Sequence, residues 1–170
     1  MTNQERTGVV TAHGNPITLL GPQLKVGDRA PDFTVVDEAF RPVRLADFKG
    51  KTVLISAVPS LDTGVCSLQT KRFNDEAEKL PPGVAVLTIS EDLPFAQTRF
   101  CGVESIKNLR VLSDSVHRDF GLRYGVLIKE TALLARSIWV IGPDGRIRYC
   151  EIVPELTHHP DYDRALAAVR

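Results

Sequence analysis

Apolar residues arrive along this chain in two rhythms. The runs TVLISAV (Thr52 to Val58) and VAVLTIS (Val84 to Ser90) are almost unbroken, which is the pattern of strands covered on both faces. Between them, from about Gly64 to Leu80, residues Val65, Leu68, Phe73, Ala77 and Leu80 fall broadly on one side of a helix that Pro81-Pro82-Gly83 stops. Pro59 closes the first run. After the second, Asp92 is suited to cap a helix with Pro94 in its first turn, and FAQTRFC carries that helix to Gly102, so Cys101 falls in its last turn. LRVLSD then predicts a strand, SVHRDFGLRYG a helix ending at Gly125, and SIWVIGPDGRIRYCEIV two strands joined at Pro143-Asp144-Gly145. A final helix runs from about Asp161 to Arg170. Upstream, FTVVD is a short strand after Pro31, and VVTAHGNPITLL reads as a hairpin over about 8–21 with Gly14 and Asn15 in a tight turn.

Strands alternating with helices and followed by an antiparallel pair imply an α/β fold, a mixed sheet sandwiched by helices. Active groups in such folds gather at the carboxyl ends of parallel strands, which is where residues 59–66 fall. At 170 residues and 43% hydrophobic content the chain can bury one sizeable core, so one domain over 1–170 is expected. Its 21 basic and 21 acidic side chains cancel, leaving no long-range field to collect nucleic acid or an anionic membrane. MTNQERTGVV lacks a basic region leading into an apolar stretch, and no segment reaches the roughly 18 apolar residues of a spanning helix. A cytoplasmic protein is expected. Three cysteines (Cys66, Cys101, Cys150) in a reducing compartment do not make a static disulfide framework, so any disulfide should be transient.

Taken alone, Cys66 reads as buried filler, metal ligand or nucleophile. Its position favours chemistry. With Asp62 or Thr63 as N-cap, it lies in the first helical turn among backbone N–H groups that lack intrahelical acceptors. Such surroundings lower cysteine pKa values to roughly 3.5 to 7.5. Cys101 sits at the opposite pole, where the carboxyl end of a helix disfavours a thiolate. Zinc is the weakest reading: the cysteines are far apart, and the adjacent His158 and His159 point away from each other in an extended chain. Cys150 reads as a half-buried sheet residue, Phe95 and Phe100 as core, and Arg136 by itself as an ordinary solvated or ion-paired side chain.

In PSLDTGVC, residues Pro59, Thr63 and Cys66 match the Pro-x-x-x-Thr/Ser-x-x-Cys pattern of peroxiredoxins, and EDLPFAQTRFCG is similar to the second-cysteine segment of the bacterial thiol peroxidase subfamily. The resemblance extends over nearly the whole chain. It takes in the N-terminal hairpin, the entry Gly27, Asp28, Ala30, Pro31, Phe33, the segment LLARSIWVI around Arg136, and PDYDRAL. It implies a thioredoxin-like fold, no cofactor or metal, a hydroperoxide substrate, thioredoxin as reductant and a homodimer. It also implies Cys66 as the peroxidatic cysteine, Cys101 as its intramolecular disulfide partner, Arg136 as the active-site arginine, Thr63 as the hydroxyl donor and Pro59 as the shield of the pocket. The alternative is a redox-sensing module switched by the same disulfide.

Ionisation alone does not make a peroxidase. A cysteine of ordinary pKa is already a few per cent thiolate at pH 7, so full ionisation raises the reactive fraction only about 30-fold. The rest must come from aligning the peroxide and stabilising charge on the departing oxygen, where one preorganised donor contributes roughly 2.7 to 4 kcal/mol.

Overall fold

The computed structural model describes residues 4–170. It opens on a hairpin, β1 (Glu5–Ala12) and β2 (Asn15–Leu20), joined by His13 and Gly14 at φ 50° and 79°. Two successive left-handed residues give the tight turn whose twist suits antiparallel strands. The turn therefore falls one residue earlier than the Gly14-Asn15 pair, and Asn15 opens the second strand. A second, small hairpin of β3 (Thr34–Val36) and β4 (Pro42–Arg44) leads through a 3-10 turn at Leu45–Phe48 into β5 (Thr52–Ala57). The alternating part follows as α1 (Gly64–Ala77), β6 (Val84–Ser90), α2 (Pro94–Val103), β7 (Arg110–Ser113) and α3 (Asp119–Arg123). The chain closes with β8 (Leu127–Ile128), β9 (Ser137–Ile141), β10 (Ile147–Ile152) and α4 (Tyr162–Val169).

Seven strands form the main sheet in the order β10-β9-β5-β6-β7-β3-β4, with β5, β6 and β7 parallel and the others antiparallel. The apolar run of β5 is explained by burial on both faces. Leu54 joins Phe73 of α1 and Ala165 and Leu166 of α4 on one side, while Val53 and Ile55 meet Phe120, Tyr124 and Trp139 on the other. Antiparallel pairing of β5 with β9 sets Ala57 opposite Ser137. Arg136, one residue before Ser137, is thereby delivered to the carboxyl end of β5, where the chain enters Pro59 and the first turn of α1.

The N-terminal hairpin joins β8 in a separate three-stranded sheet. Arg6 anchors it: the buried guanidinium donates from one nitrogen to the carbonyls of Gly21 and Gly125, each at 3.0 Å. Gly125 is obligatory there. Its φ is +66°, and a Cβ would lie 2.0 Å from the Pro22 carbonyl oxygen.

Some elements differ from the sequence reading. The short strands β4 and β8 carry too few residues to show a period. The helix expected over 115–125 contains only Asp119–Arg123, because the Asp114 carboxylate takes the amides of Phe120 and Gly121 at 2.9 and 2.8 Å. Asp92 is not the cap of α2; Leu93 holds that place without a side-chain bond. Helix α2 runs one residue beyond Gly102, and Phe95 is 71% exposed rather than core, whereas Phe100 is buried. Leu68 also faces outward. The buried face of α1 is Cys66, Gln69, Thr70, Phe73 and Asn74.

At the carboxyl ends of β6 and β7, Glu91 Oε1 is buried without a hydrogen-bond partner, and burial together with the neighbouring Asp114 charge pushes the Glu91 carboxyl up from its ordinary range. Folded protein therefore keeps a proton on this pair that unfolded chain releases above the usual glutamate pKa, and the pair's contribution to stability falls as pH rises. Glu91→Gln, which keeps the size of the side chain without a titrating proton, is expected to raise the melting temperature at pH 8 and to flatten its decline between roughly pH 5 and 8. Thermal unfolding of both proteins across that range checks this; parallel curves would contradict it.

Candidate active site

Thr63 is the N-cap of α1 in extended geometry (φ −99°, ψ 149°), yet its side chain makes no cap bond. The hydroxyl lies instead 2.6 Å from Cys66 Sγ and 3.1 Å from the Ser60 carbonyl oxygen. One hydrogen serves both. When sulfur is protonated it donates to Oγ1 while the hydroxyl donates to Ser60, and when sulfur is ionised the hydroxyl turns to it. The first α-helical bond runs from the Ser67 amide to the Thr63 carbonyl, so the Cys66 amide is among those an α-helix leaves without an acceptor. Cys66 itself is fully buried, packed with Val58, Leu61 and Phe100.

Arg136, immediately before β9, reaches the same sulfur. Its three nitrogens are separately assigned: one donates to Cys66 Sγ at 3.4 Å, one to Gln69 Oε1 at 2.9 Å, and Nε to the Leu156 carbonyl at 3.0 Å. The side chain is only 2% exposed, and among the described residues no carboxylate forms a salt bridge with it. A buried cation with only neutral acceptors favours negative charge on whatever faces it. Here that is sulfur, or an oxygen bound beside it.

Gln69 was not singled out from the sequence. It is fully buried, accepting from Arg136 and donating from Nε2 to Ser56 Oγ at 2.7 Å. The signal was a polar residue three positions after Cys66 on the face that also carries Thr70, Phe73 and Asn74. Asp92, expected to cap α2, bonds elsewhere. Its carboxylate accepts from Ser60 Oγ, the Leu61 amide and Ser90 Oγ, each at 2.8 Å, tying the Cys66 loop to the root of α2.

Cys101 is half-buried and free, and packs against the apolar cluster that surrounds Cys66. Burial, then the Glu38 charge, push its thiol pKa up. Pro59 is buried at the exit of β5. A cleft of about 300 Å³ lies between the helix starts and ends, lined by Leu61, Thr63, Ser67, Arg99, Phe100 and Val103. Cys150 is elsewhere, opposite Trp139 in the β9–β10 ladder and against the other core face. His158 and His159 are exposed, and His159 Nδ1 bonds the Tyr162 hydroxyl at 2.7 Å. Among the described residues no three metal-ligating side chains group together, and no helix is long and apolar enough to cross a membrane.

The redoxin family model matches residues 25–166. A thiol peroxidase of Bacillus subtilis is 50% identical over 161 residues, covering 95% of this chain and 96% of its own. One of Halalkalibacterium halodurans is 53% identical over 163 residues, covering 95% and 96%. The crystal structure of a peroxiredoxin-like protein from Aquifex aeolicus superposes with a TM-score of 0.89 at 42% identity over 99% of this chain and 98% of that one. A thiol peroxidase from Chromobacterium violaceum, at 24% identity and TM-score 0.81 with 91% of each chain covered, shares the fold. With about half of all positions shared along nearly the full length, and a buried thiol between a hydroxyl and a guanidinium, the chain belongs to the thiol peroxidases of the peroxiredoxin family and is a peroxidase.

Proposed function

We propose that Cys66 is the peroxidatic cysteine and Cys101 the resolving cysteine of a hydroperoxide reductase recycled by thioredoxin. The carrying observation is the convergence of the Thr63 hydroxyl and the Arg136 guanidinium on Cys66 Sγ, at 2.6 and 3.4 Å. In the first step the thiolate attacks the terminal peroxide oxygen. An S–O bond forms, the O–O bond breaks with both electrons leaving on the distal oxygen, and protonation of that oxygen gives water or an alcohol. Arg136, Thr63 and the Cys66 amide are the donors available to the developing charge. Pro59, buried at the strand exit, shields the sulfur from bulk water.

In the second step the Cys101 thiol attacks the Cys66 sulfenic sulfur, its proton leaves with the hydroxyl as water, and a disulfide forms. The raised pKa of Cys101 keeps it a thiol until then. Reduced thioredoxin supplies the two electrons that reopen the bond. Resemblance of residues 59–66 and 91–102 to the family pattern supports the pairing, and extends the reading to a cytoplasmic homodimer.

Cys66→Ser is expected to abolish peroxidase turnover, whereas Cys101→Ser still undergoes one fast oxidation and leaves a sulfenic acid that dimedone labels at Cys66. Stopped-flow oxidation with one equivalent of hydrogen peroxide, followed by mass spectrometry, checks both. Loss of the first oxidation in Cys101→Ser would reverse the assignment. Sustained turnover with thioredoxin separates the enzyme from a disulfide-switched binding module.

Arg136→Met and Thr63→Val are each expected to slow peroxide reduction by about 100-fold or more, beyond the roughly 30-fold that thiolate fraction commands. Titration of thiolate absorbance near 240 nm alongside the rate constant decides between the two causes. Rates that track thiolate fraction alone would exclude stabilisation of the transition state.

Both cysteines occupy intact helices, and a disulfide needs a Cα separation of roughly 4.4 to 6.8 Å. Oxidation is therefore expected to loosen both segments, most around residues 93–102, because the end of α2 frays at lower cost than the ordered first turn of α1. Hydrogen exchange on reduced and oxidised protein reads this. Unchanged protection with a mapped Cys66 to Cys101 bond would contradict it.

A further inference from the structure

The N-terminal hairpin precedes the residues matched by the redoxin model, which begins at residue 25, yet its tip is wired to the arginine of the site. The Leu156 carbonyl that accepts from Arg136 Nε belongs to a residue whose own amide donates to the Thr11 carbonyl at 2.8 Å. Thr11 in turn donates its amide to the Pro154 carbonyl at 2.8 Å, which makes Thr11 and Glu155 a parallel bridge. Glu155 holds this junction with both carboxylate oxygens. Oε1 accepts from the Gly14 amide at 2.7 Å and Thr11 Oγ1 at 3.1 Å, on the hairpin. Oε2 accepts from the Thr157 amide at 2.8 Å and its hydroxyl at 2.7 Å, on the loop.

We infer that Glu155 is a positioning residue for Arg136, fixing the Leu156 carbonyl by clamping the loop over residues 154–157 to the tip of the β1–β2 hairpin. The inference rests on Arg136 acting on the peroxide as proposed above. Nε, restrained by Leu156, and one terminal nitrogen, restrained by Gln69, together set the plane of the guanidinium, so the nitrogen facing sulfur is aimed by the other two. Releasing the Leu156 carbonyl removes one of those restraints and leaves Arg136 buried with an unused donor. Misplacement of a reacting group by about 1 Å can cost on the order of 100-fold in rate. Four donors converging on Glu155, those of Thr157 first and Gly14 next, hold its pKa down to about 2, as expected of a carboxylate that works ionised.

Glu155→Gln is the decisive variant. It keeps size and shape, but its amide nitrogen must face donors on either the hairpin or the loop, so the two-sided clamp fails. Stopped-flow oxidation of Cys66 by hydrogen peroxide is measured in the parent, Glu155→Gln, Arg136→Met and the double variant. We expect Glu155→Gln to slow the parent about tenfold and the Arg136→Met background less than about twofold. Equal slowing in both backgrounds, or none in the parent, overturns the inference while leaving Arg136 as assigned. Arg136→Met that oxidises at the parental rate overturns the reading of the arginine, and the inference with it, without Glu155 being touched. If Glu155→Gln does not fold, Thr11→Val, which removes the hydroxyl that faces Glu155 Oε1 and the Pro154 carbonyl, is expected to show the same non-additivity with Arg136→Met at smaller size, and additive effects there overturn the inference equally.

Discussion

The end of this molecule that carries Cys66 depends on one uncompensated charge. Arg136 is buried at 2% exposure and bonded only to an amide oxygen, a backbone carbonyl and a sulfur. A carboxylate in that position would neutralise the guanidinium and leave nothing for an anion to gain. With neutral acceptors on two of its nitrogens, the cation keeps its field for the third direction, where the thiol of Cys66 lies. Low dielectric strengthens that field, and burial of Val58, Leu61 and Phe100 around the sulfur maintains it.

Holding such a cation in place is the shared task of elements far apart in the chain. Strand β9 delivers Arg136 through its register with β5, helix α1 supplies Gln69, and the loop after β10 supplies the Leu156 carbonyl. Each contact is ordinary in energy, roughly 1.5 to 3 kcal/mol for a hydrogen bond to a charged group. Their value is directional, since three fixed nitrogens leave the guanidinium no free rotation.

The two cysteines face different physical demands. Cys66 stands where an ordered first turn aligns an amide, a hydroxyl and a guanidinium, and loosening it costs the alignment. Cys101 stands near the end of α2, half-buried with its pKa raised, under a helix whose outer face leaves Leu93, Phe95 and Val103 exposed. Asp92 joins the two regions at their roots, bonding Ser60 and Leu61 before α1 and Ser90 before α2. One carboxylate thus ties the position of the loop before α1 to that of the loop before α2.

Much of the fold was legible in the sequence, because strands buried on both faces need unbroken apolar runs and prolines mark where such runs stop. Thr52–Ala57, Val84–Ser90 and the Pro143-Asp144-Gly145 turn were readable on that basis. So was the first helical turn that holds Cys66, with Asp62 or Thr63 as its cap, while the Thr63 hydroxyl entered through resemblance. Strands of two and three residues, such as β8 and β4, were not, since a period needs more positions than they contain. The inward face of α1 was misjudged at Leu68 because the turn that aims the helix is set by Thr63 and by packing on β5, not by the helix's own pattern. Arg136 entered through resemblance alone, and Gln69, Leu156 and Glu155 did not enter at all. The sequence by itself determined that Cys66 stands in the first turn of a helix at the end of a buried strand. The tertiary structure decided which cation would meet that sulfur and what would hold it there, because antiparallel register and a hairpin clamp join positions up to 145 residues apart (Thr11 to Leu156), and no local pattern encodes such a meeting.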